Sequence, residues 1–253
     1  MAGFRERLSI LRSLCITAPL VFIATATMGS ISLASSLFDS TGRIQHGCAR
    51  LWARLILGIC RVRLRVSGLP SFEHNVPYVF FVNHQSHMDI PIVLAALPIS
   101  FRFAAKKELF RIPFLGWHLR RSGHIPVDRK NPNAAVKAFR SAGDQLRAGT
   151  SLVFFPEGAT SLDGVIKPFK RGGFVLAEQS QANVVPVTIR GSRAVLVPKT
   201  YHVRGGSVAV TLGKPIAAKS CSLQELNERV RTEILATFEH DKALDRNTNT
   251  ISR

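Results

Sequence analysis

The hydrophobic pattern divides the chain into one uninterrupted apolar run near the N-terminus and a longer stretch of short alternating segments. Between Arg12 and Asp39 no residue is charged, and residues 13–38 are rich in leucine, isoleucine and alanine. A helix needs about 20 apolar residues to cross the hydrocarbon core of a bilayer, so this run is long enough to do so. Pro19 and Gly29 are expected to bend such a helix without excluding it.

The alternative interpretation of this run is a cleaved signal peptide. Basic residues precede it, and the Ala-Thr-Ala at residues 24–26 resembles a cleavage site. The apolar run continues well past that point, so a retained membrane element is preferred. Arginines flank the run on both sides, and the positive-inside rule therefore assigns it no orientation. Spanning and monotopic insertion both stay open.

A second N-terminal segment, residues 43–63, mixes leucines, isoleucines and Trp52 with arginines. A basic helix with aromatic and aliphatic residues suits the plane of the membrane interface, where arginines meet anionic head groups. The alternative is a soluble amphipathic helix packed on the following domain. Together the two segments predict a membrane-associated helical hairpin over residues 1–60.

From residue 61 onward, short strands alternate with helices. Residues 62–66 alternate apolar and basic side chains, as a half-buried strand does, whereas 78–82 is continuously apolar, as in a strand covered on both faces. Pro132 opens a helix that Gly149 closes, and Ser222 with Glu225 forms a capping box for a last helix. Further strands are predicted at residues 151–155, 184–189 and 207–212.

This alternation predicts an α/β domain over residues 61–240, with a mixed, largely parallel sheet flanked by helices. A polar tail follows at residues 241–253. The net charge of +18 attracts polyanions, which include nucleic acids, anionic lipid surfaces and phosphorylated substrates. Four cysteines without Cys-x-x-Cys spacing predict neither a zinc site nor a disulfide framework.

The main candidate for chemistry is the run NHQSHMD at residues 83–89. His84 follows directly after the buried strand that ends at Val82, and ligands of open α/β sheets gather at the carboxyl ends of strands. On one straight helix, His84 and Asp89 would point about 140° apart. They meet only if His84 lies in the turn and Asp89 in the first turn of the next helix, where Pro91 is tolerated. Asp89 would then orient the imidazole as a general base.

Two other interpretations of this run use the same residues. A histidine beside a helix start is often only a cap. His84, His87 and Asp89 are also metal-ligand types, but their His-x-x-His-x-Asp spacing matches no zinc pattern and no further ligand cluster follows. We therefore expect no metal.

Three further polar blocks lie beyond this run. Glu157 and Gly158 follow a buried strand, in what is otherwise a Pro-Glu-Gly turn. The basic loop at residues 167–174 offers backbone amides and cations for a phosphate, or is simply solvated. Residues 123–129 end on Arg129, and Lys106 adds positive charge nearby in sequence.

Four blocks in this order, residues 83–89, 123–129, 155–161 and 185–189, resemble the PlsC-type glycerolipid acyltransferases. That family includes the bacterial 1-acyl-glycerol-3-phosphate acyltransferases. The resemblance covers roughly residues 61–216, and the N-terminal helical pair resembles the family's membrane motif. It implies that His84 and Asp89 are the catalytic pair. The residues expected to bind substrate are Lys106, Arg129, Glu157, Gly158, Ser161 and Lys170.

The chain departs from the family pattern at Ala159, Thr160 and Pro126, where threonine, arginine and phenylalanine are usual. The missing arginine is the expected ligand of the phosphate in lysophosphatidate, and a threonine cannot replace a bidentate charged contact. Either Lys106, Arg129 or Lys170 compensates, or the acceptor lacks a terminal phosphate. Related enzymes that acylate lyso-ornithine lipid or lysophospholipids are the models for the second possibility.

The resemblance implies an enzyme that moves a fatty acyl chain from an acyl-CoA or acyl-carrier protein thioester to the hydroxyl of 1-acyl-glycerol-3-phosphate. The expected product is phosphatidic acid. We expect no cofactor besides this co-substrate, and as partners the anionic bilayer and the lysolipid acceptor but no nucleic acid. The expected location is the inner (cytoplasmic) membrane, with the catalytic domain facing the cytoplasm. A non-enzymatic basic membrane-surface protein would explain the charge and the apolar run, but not the two polar blocks at strand ends.

Overall fold

The apolar N-terminal run is helical from Ser13 to Ser35. The structure, a computed structural model, describes residues 2–39, 41–68, 72–73, 76–128, 130–198 and 200–251. Helix α1 (Ala2–Arg12) continues through a π-helical turn (Ser13–Thr17) into α2 (Ala18–Ser35). Pro19 has no N–H to donate to the carbonyl four residues earlier, and the widened turn lies at that place. The stretch Glu6–Ser35 is long and apolar enough to cross a membrane, and little of it is covered by protein, which is consistent with membrane association.

Helix α3 (Arg43–Ile59) runs back along α2 and completes the predicted hairpin. Gly42, with φ of +74°, makes the turn into it. The indole Nε1 of Trp52 donates to Thr25 Oγ1 at 3.0 Å and ties the two helices together. One face of α3 is buried against the domain, whereas Ile44, Leu51 and Leu55 remain exposed.

The described strands form one mixed sheet in the order β1-β7-β6-β2-β5-β3-β4, with β8 paired to β6. Neighbours are parallel except at the β6–β7 and β6–β8 pairs, so the predicted mixed, largely parallel sheet is confirmed. The strands are β1 (Val62–Ser67), β2 (Tyr78–Val82), β3 (Phe101–Lys106), β4 (Ile125–Val127), β5 (Ser151–Phe154), β6 (Asn183–Arg190), β7 (Gly206–Leu212) and β8 (Ile216–Ala217).

Helices cover both faces of the sheet. They are α4 (Asp89–Ala96), α5 (Leu115–Arg121), α6 (Pro132–Arg147), α7 (Gly172–Gln179), α8 (Ser192–Val195) and α9 (Leu223–Ile251). Alternate residues of β2 enter different cores: Phe80 and Val82 pack with α3 and α4, whereas Val79 and Phe81 pack with α6, α7 and α9. Each such fully buried side chain contributes about 1.5–3 kcal/mol, so β2 is held from both sides.

The ends of the elements follow the expected local signals. The backbone N–H and the hydroxyl of Ser222 both bond Glu225 Oε2, at 2.8 and 2.9 Å, and this capping box opens α9 as predicted. The helix continues as far as Ile251, through most of the predicted polar tail.

Arg102, His46 and His124 are buried where the helical pair meets the sheet, and His118 is half-buried beside them. His46 belongs to α3, His118 to α5, and His124 lies just before β4. Burial, together with the charge of Arg102, lowers the pKa of His46 and of His118 to about 4. Burial also holds the pKa of His124 well below 6.5. All three side chains are therefore neutral at pH 7.

We expect the free energy of unfolding to fall as the pH is lowered from about 6.5 to about 4. In that window these histidines bind protons in the unfolded chain but not in the folded chain. Above about 6.5 this contribution is fully present. Denaturant titrations at several pH values in this window give the free energy of unfolding. This free energy should fall less steeply with decreasing pH in His118→Gln than in the wild-type chain. An identical pH dependence in the two proteins would contradict the assignment.

Candidate active site

The carboxyl end of β2 is fixed by Asn83, which is fully buried. Its side-chain amide donates to the Ile189 carbonyl at 2.9 Å and its side-chain oxygen accepts from the Ile189 N–H at 2.7 Å. The amide thus continues the pairing of β2 with β6 for one more residue. His84, the next residue, therefore begins its loop from a defined position at the sheet edge.

Asp89 and His84 meet in the way that their spacing requires, with His84 in the loop and Asp89 opening α4. Asp89 Oδ2 accepts from His84 Nδ1 at 2.8 Å and from the backbone N–H groups of Gln85 and Ser86 at 2.7 and 2.8 Å. A carboxylate oxygen only accepts, so Nδ1 carries a proton, and in the neutral imidazole Nε2 keeps its lone pair. The imidazole is 12% exposed and the aspartate is fully buried.

The loop after β5 holds the backbone of His84 on both sides. Glu157 Oε1 accepts from the His84 N–H at 2.7 Å, and the Ser161 N–H donates to the His84 carbonyl at 2.8 Å. The second oxygen of Glu157 accepts from the Lys167 N–H at 2.9 Å. Burial raises the pKa of Glu157, and these N–H donors offset part of that rise. Both oxygens of this carboxylate are thus bonded to backbone, and Glu157 joins three segments at the site.

Two side chains of the same loop touch the imidazole. The ring of Phe155 stacks on it with centroids 4.2 Å apart and planes 24° apart. Thr160 Oγ1 lies 3.1 Å from Nε2, and since Nε2 is the unprotonated nitrogen, the hydroxyl donates to it. The threonine that replaces the family's usual arginine therefore contacts the nitrogen that would act as the base. Sequence reasoning missed Asn83 and Phe155, and it considered Thr160 only as a lost phosphate ligand.

Gly158 and Lys170 lie against each other. Gly158 has φ of +75°, and a Cβ there would come within 2.8 Å of Lys170 Cε. The Lys170 N–H donates to the Pro156 carbonyl at 2.9 Å, while its side chain is exposed. This backbone conformation favours glycine at position 158. Gly158 and Lys170, two of the residues predicted to bind substrate, are thus neighbours beside the loop that holds His84.

Three other residues were predicted to bind substrate, namely Ser161, Lys106 and Arg129. Ser161 is buried, and its hydroxyl lies 2.8 Å from both Asp163 Oδ1 and the Val165 carbonyl, so it shapes its own loop. Lys106 ends β3, with its ammonium 3.8 Å from Glu108, and pairs in register with Val127 of β4. Arg129 lies outside the described residues.

One cavity adjoins the site, and a second lies on the opposite face of the sheet. The larger, of about 230 Å³, is lined by Phe155, Gly158 and Lys170 together with Asp128 and residues of α6 and α7. The other, of about 100 Å³, is almost entirely apolar and lies between α2, α3, α4, α5 and β3. Within the described part of the chain, no three histidine, cysteine, aspartate or glutamate side chains gather as metal ligands do.

The chain is similar to known acyltransferases. The family model described as Acyltransferase matches residues 63–190. The chain is 35% identical to the chloroplastic 1-acyl-sn-glycerol-3-phosphate acyltransferase of Arabidopsis thaliana over 184 residues, which are 71% of this chain and 51% of that protein. It is 28% identical to the enzyme of that name from Saccharomyces cerevisiae over 228 residues, 87% of this chain and 75% of that one. The chain thus spans about half the length of the plant relative.

A solved structure is similar over nearly the whole chain. The crystal structure of the 1-acyl-sn-glycerophosphate (LPA) acyltransferase PlsC from Thermotoga maritima superposes with a TM-score of 0.78 at 26% sequence identity. The match covers 96% of this chain and 98% of that one. The similarity therefore extends to the N-terminal helices, beyond the residues that the family model matches.

Replacement of Glu157 by glutamine should destabilise the chain by about 1–3 kcal/mol, because an amide offers one oxygen acceptor, whereas the N–H groups of His84 and Lys167 each bond a separate oxygen of Glu157. For a chain of this size each kcal/mol corresponds to a fall of about 2–4 °C in Tm. Thermal unfolding in detergent measures it. Glu228→Gln, an exposed change on α9, is the matched control, and equal Tm values for the two variants would contradict the role given to Glu157.

Proposed function

Because the chain belongs to the Acyltransferase family, we propose that it transfers a fatty acyl chain from a thioester to the free hydroxyl of 1-acyl-glycerol-3-phosphate, giving phosphatidic acid. The observation that carries the proposal is the hydrogen bond of His84 Nδ1 to Asp89, which leaves Nε2 unprotonated and facing the loop after β5. The names of the similar proteins, from plant, yeast and Thermotoga maritima, support the same reaction.

In the proposed reaction, His84 Nε2 accepts the proton of the acceptor hydroxyl as its oxygen attacks the thioester carbonyl. A carbon–oxygen bond forms, the carbon–sulfur bond breaks, and the proton passes from the imidazolium to the leaving thiolate. Asp89 stabilises the imidazolium and keeps its tautomer fixed. The thioester is already activated, so no enzyme nucleophile is required, and Ser86 and Ser161 lack the Gly-x-Ser-x-Gly setting of a hydrolase.

The two cavities suit the two parts of a lysolipid. The apolar cavity suits a hydrocarbon chain, because its lining offers almost no polar group that a chain would desolvate. The larger cavity, beside Lys170 and the loop after β5, suits a polar head group. The donor is acyl-CoA or acyl-carrier protein, a co-substrate rather than a bound cofactor, and the reaction as proposed uses no metal.

The membrane is the proposed partner of the N-terminal helices, with an anionic leaflet matching the net charge of +18. We place the protein at the inner (cytoplasmic) membrane with its catalytic domain on the cytoplasmic side. Nucleic acid is not a proposed partner, because the basic residues accompany an apolar helix of membrane-spanning length.

A second candidate acceptor is favoured by Thr160. Its hydroxyl, rather than an arginine guanidinium, lies beside the base, and a neutral hydroxyl cannot neutralise a phosphate monoester. The alternative acceptor is therefore a lysolipid without a terminal phosphate, such as a lysophospholipid or lyso-ornithine lipid. In that case the same base and the same thioester chemistry would serve a different head group.

Replacement of His84 by alanine should lower kcat by about 10²–10⁴, the usual contribution of a positioned general base. Transfer of a labelled acyl group from acyl-CoA to lysophosphatidate in mixed micelles measures it. His87→Ala is the matched control, because His87 is exposed three residues away in the same run. Full activity of His84→Ala would refute the mechanism, as would a wild-type chain that acylates no lysolipid.

The role of Thr160 is tested by ranking acceptors. Thr160→Arg should raise kcat/KM for lysophosphatidate relative to lysophosphatidylcholine by about tenfold or more, because an arginine can bind the phosphate in a bidentate manner. Thr160→Ser, which keeps the hydroxyl, should leave the ranking as in the wild type. A wild type that already prefers lysophosphatidate, together with an unchanged ranking in Thr160→Arg, would rule out the second acceptor.

A further inference from the structure

The segment between β3 and β4 exposes large apolar side chains. We call residues 107–121, a short 3-10 helix (Lys107–Arg111) followed by α5, the connecting segment. Ile112, Phe114 and Trp117 are 46%, 45% and 49% exposed, and Leu109 is 37% exposed. The rings of Phe114 and Trp117 meet edge to face at 5.4 Å and form one aromatic patch.

Basic residues flank this patch in the sequence. From residue 106 to 121 the chain carries Lys106, Lys107, Arg111, Arg120 and Arg121 against a single acidic residue, Glu108. Arg111, Arg120 and Arg121 are exposed. Aromatic and aliphatic side chains with a basic rim are typical of protein surfaces that lie in the head-group layer of a bilayer. Each Lys or Arg near an anionic leaflet adds an attractive interaction with the lipid head groups.

The connecting segment lies directly beside the apolar helix α2. A Cβ at Gly29 of α2 would be only 3.7 Å from Phe114 Cβ. Ser32 Oγ of α2 is 2.7 Å from His118 Nδ1. On α2 itself, several large apolar side chains are exposed, namely Leu20, Phe22, Ile23 and Ile31. The aromatic patch is therefore continuous with the helix that is apolar enough to enter a membrane.

The outward position of Phe114 is built into the fold. Its φ of 61° is unusual for a residue with a side chain, and such a conformation is strained. Hydrogen bonds on both sides hold it: the Gly116 N–H donates to the Ile112 carbonyl at 2.7 Å, and the His118 N–H donates to the Phe114 carbonyl at 2.9 Å. Gly116 has no side chain where one would collide with the Phe110 carbonyl.

We propose that the connecting segment enters the head-group layer of an anionic bilayer beside α2, as a second membrane contact separate from the N-terminal helices. This proposal rests on the membrane attachment that is part of the proposed function. Phe114, Leu115, His118 and Leu119 of this segment also line the apolar cavity. Its insertion places that cavity next to the lipid, so a hydrocarbon chain passes between bilayer and cavity without crossing water.

The two tryptophans of the chain provide the test. Trp52 bonds Thr25 between α2 and α3, so Trp52→Phe leaves Trp117 as the single reporter. The protein is reconstituted in vesicles of phosphatidylglycerol and phosphatidylcholine whose acyl chains carry bromine at a shallow or a deep position. We expect blue-shifted emission, stronger quenching by the shallow bromine than by the deep one, and protection from aqueous iodide.

Quenching of Trp117 by iodide but not by bromine would overturn the proposal. So would protection from both quenchers, which indicates that protein covers the patch, either a second copy or another partner. If Trp52→Phe does not fold, the difference in quenching between wild type and Trp117→Phe gives the same information. Co-sedimentation with the vesicles, measured on the same samples, separates a failure of the segment from a failure of membrane attachment.

A kinetic test uses the double change Ile112→Ser, Trp117→Ser, because neither side chain lines the apolar cavity. We expect KM for a long-chain lysolipid presented in vesicles to rise about tenfold, while kcat with a short-chain, water-soluble acceptor stays as in the wild type. Val136→Ser, an equally exposed apolar position on α6, is the control. Equal KM values in vesicles for the double variant and the control would also count against insertion. An inactive wild type would instead reject the proposed function.

Discussion

The bond between His84 Nδ1 and Asp89 depends on backbone that a different part of the chain holds in place. Asp89 fixes the imidazole, but the N–H and the carbonyl of His84 are bonded by Glu157 and Ser161, from the loop after β5. Because β2 and β5 are adjacent and parallel, their carboxyl ends meet at one edge of the sheet. The site therefore requires the buried carboxylate of Glu157. Its removal would leave the backbone N–H groups of His84 and Lys167 without their acceptor.

The two faces of the sheet also carry cavities of different character. Side chains that alternate along β3 reach different cavities, with Phe103 lining the apolar one and Ala104 the more polar one. The apolar cavity borders the helical pair, whereas the larger cavity borders α6 and α7. An amphiphilic substrate fits such a division, because its hydrocarbon and its head group can be bound on opposite faces while the reacting hydroxyl lies at the strand ends.

Local features of the fold were predictable because their signals lie within a few residues. The buried strand before His84, the helix that opens at Asp89 and the capping box of Ser222 with Glu225 depend only on neighbouring positions. The bond from Glu157 to His84 and the contact of Thr160 with Nε2 join residues more than 70 positions apart. They follow from the order of the strands, which periodicity does not specify. The connecting segment was also missed, since it has neither helical nor strand alternation.

Helix α3 has a consequence for how the chain folds. Its residues Ala53, Ile56 and Leu57 belong to the same core cluster as Phe80 and Ile92, so the helical pair forms part of one wall of the domain. A fragment that begins at β1 would expose that wall to water and is expected to aggregate rather than to yield a soluble enzyme. The domain cannot complete its core until the hairpin has packed against it. Folding of the α/β domain and packing of the helical pair are therefore a single coupled process.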